Sequence, residues 1–67
     1  MKILVFEAKE KAKDGRHYIY GIPFHKITEL RTIYGGHRVE CRINGVETKC
    51  SFHDIVEAMG GEEIKVE

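Results

Sequence analysis

The dipeptide Asn44-Gly45 stands between two runs of alternating side chains, residues 39–43 and 46–50. A two-residue type I′ turn needs positive φ at both central positions, which Asn and Gly adopt at low cost, so this pair predicts a tight hairpin. The turn fixes the pairing as Ile43 with Val46, Arg42 with Glu47, Cys41 with Thr48, Glu40 with Lys49 and Val39 with Cys50. Because side chains alternate along a strand, one face then carries Val39, Cys41, Ile43, Val46, Thr48 and Cys50, and the other sets acids against bases. A slip of one residue would bury those charges. Turn and pattern therefore specify the same register, with one dry and one wet face.

Sixty-seven residues make a single domain, 1–67, with a small core that leaves only a few kcal/mol of net stability. In the hairpin register Cys41 and Cys50 lie diagonally, about 7 Å apart, whereas a disulfide needs Cβ atoms about 4 Å apart. Free, buried thiols are expected, which suits a reducing compartment. With no apolar leader or membrane-length run in the sequence, a cytoplasmic location and no membrane partner follow as expectations. His17, His25, His37 and His53 show no ligand spacing with either cysteine, so no metal and no other cofactor is read. The net charge is zero but uneven: residues 1–42 hold nine Lys/Arg against five Asp/Glu, and residues 43–67 hold two against six. Such a chain can steer toward an acidic partner at one end, while its overall neutrality argues against a dedicated duplex-DNA binder.

Along the chain, Lys2-Ile3-Leu4-Val5-Phe6 is apolar on both alternating faces, which predicts an interior strand covered on one side and partly shielded on the other. Residues 7–13 are rich in helix formers, yet Asp14-Gly15 follows at once, a pair that folds a strand back on His17-Tyr18-Ile19-Tyr20. A ribbon or extended loop is preferred to a helix there, with the stems of Lys9 and Lys11 over Tyr20 and Tyr18. Phe24, Ile27, Leu30 and Ile33/Tyr34 recur at spacings of three and four, which predicts a helix of about ten residues opened by Pro23 and stopped by Gly35-Gly36. Ser51 and Asp54 form a capping-box signature. It predicts a second helix over 52–59, with Phe52, Ile55, Val56 and Met59 buried and Gly60-Gly61 ending it. The alternation of residues 62–67 predicts a last strand with Ile64 and Val66 facing the core.

Together these elements predict an α+β fold. A four-stranded antiparallel sheet carries two helices on one face, an open-faced β-sandwich of order β-α-β-β-α-β with an extra N-terminal ribbon. Over residues 14–67 the pattern resembles the histidine-containing phosphocarrier (HPr) family. Gly15-Arg16-His17 and Pro23 stand in the order of that family's active loop and first helix, Asn44-Gly45 matches its hairpin, and Ser51 lies close to its regulatory serine. The resemblance implies that fold and, at His17, a phosphoryl acceptor. Tyr18-Ile19-Tyr20-Gly21-Ile22 separates His17 from Pro23, however, and the arginine that the family carries two residues after its histidine has no counterpart.

Three functions are compatible with these residues. The first is a small non-catalytic regulatory or adaptor domain. It would bind another protein, or a second copy of the chain as a homodimer, through a strand edge and the ribbon residues Lys9, Lys11, Lys13, Arg16, Tyr18 and Tyr20. The second is a phosphocarrier working through His17. In the third, the same ribbon would bind single-stranded nucleic acid, with bases stacked on the tyrosines and lysines following the backbone. The first is preferred, since so small a core leaves no room for a deep substrate cavity. Asp54 and Glu57 have no paired base or nucleophile, and no catalytic residue is assigned.

Overall fold

The computed structural model of the chain describes residues 1–33 and 40–64. The Gly35-Gly36 stop, the Val39–Cys50 pair and the inward-facing Val66 lie outside the described residues.

The hairpin forms in the register that the turn specifies. Strands β4 (Cys41–Ile43) and β5 (Val46–Thr48) pair antiparallel through Cys41↔Thr48, Arg42↔Glu47 and Ile43↔Val46. Asn44 and Gly45 have φ of 50° and 81°, both positive as a type I′ turn requires. Cys41, Ile43 and Thr48 are buried. The paired ladder ends at Thr48, so the expected Glu40–Lys49 contact is not made; Glu40 lies 3.7 Å from Arg42 and Lys49 reaches His17 instead.

The N-terminal ribbon also forms. β1 (Ile3–Lys11) turns at Asp14-Gly15 into β2 (His17–Pro23). Ala12 N–H donates to the Arg16 carbonyl at 2.8 Å, and Gly15 N–H donates to the Ala12 carbonyl at 3.0 Å. The helical propensity of residues 7–13 thus yields to a turn and cross-strand pairing. The register shifts between Glu7 and Lys11, where β1 bulges.

Between Pro23 and the hairpin the structure departs from expectation. In place of a ten-residue helix there is a single 3₁₀ turn, Phe24–Lys26, followed by strand β3 (Leu30–Thr32) paired to β4. Asn44 supplies the physical reason. Its Oδ1 accepts from the N–H groups of Thr28 and Glu29 at 2.9 and 3.2 Å, its Nδ2 donates to the Lys26 carbonyl at 2.9 Å, and its own N–H donates to the Glu29 carbonyl at 3.0 Å. These bonds hold 26–29 extended, and the β-branched Thr28 and Thr32 lower the cost of that choice.

The C-terminal helix α1 (Phe52–Ala58) matches its signature. Ser51 Oγ accepts from Asp54 N–H at 3.1 Å, and Ile55 is buried. At the other end, Gly61 N–H donates to Val56 C=O and Gly60 N–H to Glu57 C=O, the two bonds of a Schellman stop, with Gly60 at φ 73°. The last strand is not found over the described residues: 62–64 have no strand pairing and Ile64 is 82% exposed.

The result is an α+β architecture of five antiparallel strands, order β2-β1-β5-β4-β3, with one short helix. It replaces the four strands and two helices expected, and it is not the β-α-β-β-α-β order of the phosphocarrier resemblance. Leu4, Phe6, Cys41, Ile43 and Ile55 form the core, under Phe24, Leu30, Phe52 and Met59. The ribbon and the hairpin are joined by one pair, Ala8↔Thr48. Thr48 Oγ1 reinforces this join by donating to the Glu7 carbonyl at 2.7 Å and accepting from Cys50 N–H at 3.2 Å.

Candidate functional site

Strand alternation divides the six ribbon residues between two faces. Lys9 projects from the outer face, away from the core, where its Nζ donates to Glu47 at 3.1 Å. Lys11 pairs with His17 on the same face. Tyr20 projects from the opposite, core-side face: its ring stacks on Phe6 at 5.7 Å and 12°, and its hydroxyl donates to Glu10 at 3.3 Å. The negative charge of Glu10 beside it, aided by desolvation, raises the Tyr20 hydroxyl above its ordinary range. Tyr18 alternates with Tyr20 and is 47% exposed. The lysine stems therefore do not cover the tyrosines, and rings and ammonium groups share no single surface along which a nucleic-acid strand would run. Lys13 lies exposed in the turn. Arg16 is held by Asp14 through Nε at 2.6 Å and its own N–H at 3.0 Å, and this guanidinium keeps the Asp14 carboxyl below the usual range.

His17 is engaged at both ring nitrogens. Nδ1 lies 2.9 Å from the Ala8 carbonyl, while Nε2 lies 3.2 Å from Lys49 Nζ and 4.0 Å from Glu7 Oε1. With the ammonium donating to Nε2, the ring proton belongs on Nδ1 and points at the carbonyl. The helix whose N-terminal amides would face a phosphoryl group is replaced by the 3₁₀ turn. Ser51 serves as a helix cap. Cys41 is buried and Cys50 half-buried, both as free thiols, and burial pushes the Cys41 thiol up from its ordinary value.

Concave features are shallow. An apolar groove of about 210 Å³ runs between β1 and α1, lined by Leu4, Phe6, Cys50, Ile55 and Ala58. At the end of α1, His53 lies 3.6 Å from Glu57 and 3.7 Å from Glu63 beside an open hollow. Among the described residues, no group of three or more His, Cys, Asp or Glu is arranged to hold a metal ion, and no helix is long and apolar enough to cross a membrane.

Comparison with known protein families, curated proteins and solved structures finds no match. Function must therefore be read from the surface itself. There the structure shows what the sequence reading missed: Ile3, Val5 and Ile19 are 51%, 64% and 71% exposed on the outer face of the ribbon. The signal was present in the two-sided apolar pattern of residues 2–6, which had been assigned partial shielding. Next to this patch, β2 forms one border of the sheet and carries no formal charge from Tyr18 to Phe24.

Proposed function

We propose that the chain is a small non-catalytic interaction domain, of regulatory or adaptor type, that binds a protein partner through the outer face and free edge of the β1–β2 ribbon. The observation that carries this reading is the exposed trio Ile3, Val5 and Ile19 beside an uncharged edge strand. Scattered surface apolar residues are ordinary, but three neighbouring branched side chains bordering unpaired main chain mark a contact surface. The rest of the outer face is charged and internally paired, Lys9 with Glu47 and Arg42 with Glu40, so desolvating it would cost more than desolvating the apolar patch.

Site-specific photo-crosslinking in the native host tests the reading. A photoreactive residue at position 19 is expected to yield protein adducts, and one at position 31, on the opposite border of the sheet, few or none. Equal yields from both positions, or none from 19, would overturn it.

A further inference from the structure

The hydrogen-bond phase of the ribbon shows what its edge offers. Phe24 N–H donates to the Lys2 carbonyl at 3.0 Å. Together with the register Leu4↔Ile22 and Phe6↔Tyr20, this makes the even-numbered residues of β2 the ones whose main chain faces β1. Ile19 and Gly21 therefore direct N–H and C=O outward. Beyond the bulge, Ala12 N–H donates to Arg16 C=O, which leaves the neighbouring His17 outward as well. Pro23 ends this row, since it has no N–H to offer.

The two borders of the sheet are protected unequally. β3 is three residues long with Arg31 at its centre, a short and charged edge of the kind that resists pairing. β2 is seven residues long and lacks such a device until Pro23.

We infer that the partner this edge fits is a second copy of the chain, paired β2 to β2 antiparallel about a twofold axis at Ile19. This rests on the interaction reading above and names its occupant. In this register Ile19 meets Ile19 of the other copy and His17 meets Gly21, so all three outward N–H groups and their carbonyls bond reciprocally. A shift toward the C-terminal end would bring Pro23 opposite His17 and lose a bond at each pair. On the outer face the two Ile19 side chains touch, with Val5 of each copy diagonal to its own Ile19. On the other face Tyr18 meets Tyr20, twice. Charge favours the same register. Each copy is neutral overall, and the like charges in the row through the axis are the two Glu7 residues, three strand spacings or about 14 Å apart. That exceeds the Debye length of about 8 Å at physiological salt.

Sedimentation equilibrium and disulfide trapping test this proposal. The chain should sediment at twice its 7.7 kDa mass at high micromolar concentration, and Ile19→Lys should weaken association at least tenfold while leaving the melting of the dilute monomer unchanged. In a Cys50→Ser background, Ile19→Cys should oxidise to a covalent dimer well ahead of Tyr18→Cys, whose twin lies two residues out of register. A chain that stays monomeric to millimolar concentration, an Ile19→Lys variant that still dimerises, or faster linkage through position 18 would each overturn the proposal. If the chain is monomeric while the position-19 photo-adduct carries a different protein, self-association fails and the interaction reading stands. With no adduct from position 19, both fail.

Discussion

The two hairpins use the same antiparallel ladder and finish it in opposite ways. In β4–β5, three residues per strand and a two-residue turn bury Cys41, Ile43 and Thr48 on one face. Charge pairs cover the other, with Arg42 and Lys9 both beside Glu47. In β1–β2, longer strands and a bulge bury Leu4, Phe6 and Ala8, yet the opposite face leaves Ile3, Val5 and Ile19 in water. The first hairpin holds the fold together, while the second also presents unspent apolar surface. The contrast separates residues that specify the structure from residues available to a partner, although both groups are β-branched or aliphatic and look alike in the sequence.

The sharpest way to break this contrast is to truncate one aliphatic side chain from each hairpin. Ile43→Ala removes a side chain with 0% exposure and is expected to cost about 2–5 kcal/mol in urea unfolding. A loss below 1 kcal/mol would mean that the hairpin does not hold the core. Next comes Asn44→Gly, which keeps the left-handed turn but removes the side-chain bonds to residues 26, 28 and 29. It is expected to cost about 1–3 kcal/mol and to speed amide exchange in that segment, whereas unchanged exchange would show that β3 pairing alone keeps it extended. Thr48→Val tests the join between the hairpins. Loss of the hydroxyl leaves the Glu7 carbonyl and Cys50 N–H without that partner, at a cost of about 1–2 kcal/mol. Smallest of all is Ile19→Ser, expected to change monomer stability by no more than about 0.5 kcal/mol while reducing self-association. A large loss of monomer stability would place Ile19 among the structural residues and blur the distinction.

Legibility followed the range of the interactions. Asn44-Gly45, Asp14-Gly15, the Ser51 cap and Gly60-Gly61 each act within about five residues, and each was read correctly because its chemistry is complete in the local sequence. Residues 24–34 were misread because Phe24, Ile27, Leu30 and Ile33 fall at helical spacing, while the bonds that hold 26–29 extended come from Asn44, more than fourteen residues away. The same distance hid the second role of Asn44 behind its obvious role as a turn residue. Ile64 carried a strand-like alternation, but no described strand lies beside it. The candidate site was half legible. The ribbon was located from Asp14-Gly15, but its six residues were grouped as one surface, whereas the strand's alternation sends Lys9 and Tyr20 to opposite sides.

By itself the sequence determined where the chain reverses, where one helix starts and stops, and which side of each hairpin is dry, since turn geometry, capping and side-chain alternation depend on near neighbours. The tertiary structure alone decided that β5 meets β1 through a single pair at Thr48, that Asn44 draws the preceding segment into a strand, and that Ile3, Val5 and Ile19 remain uncovered. Those outcomes depend on which surfaces meet across tens of residues. Apolar pattern records that a side chain needs cover; only the packed chain shows which ones receive it.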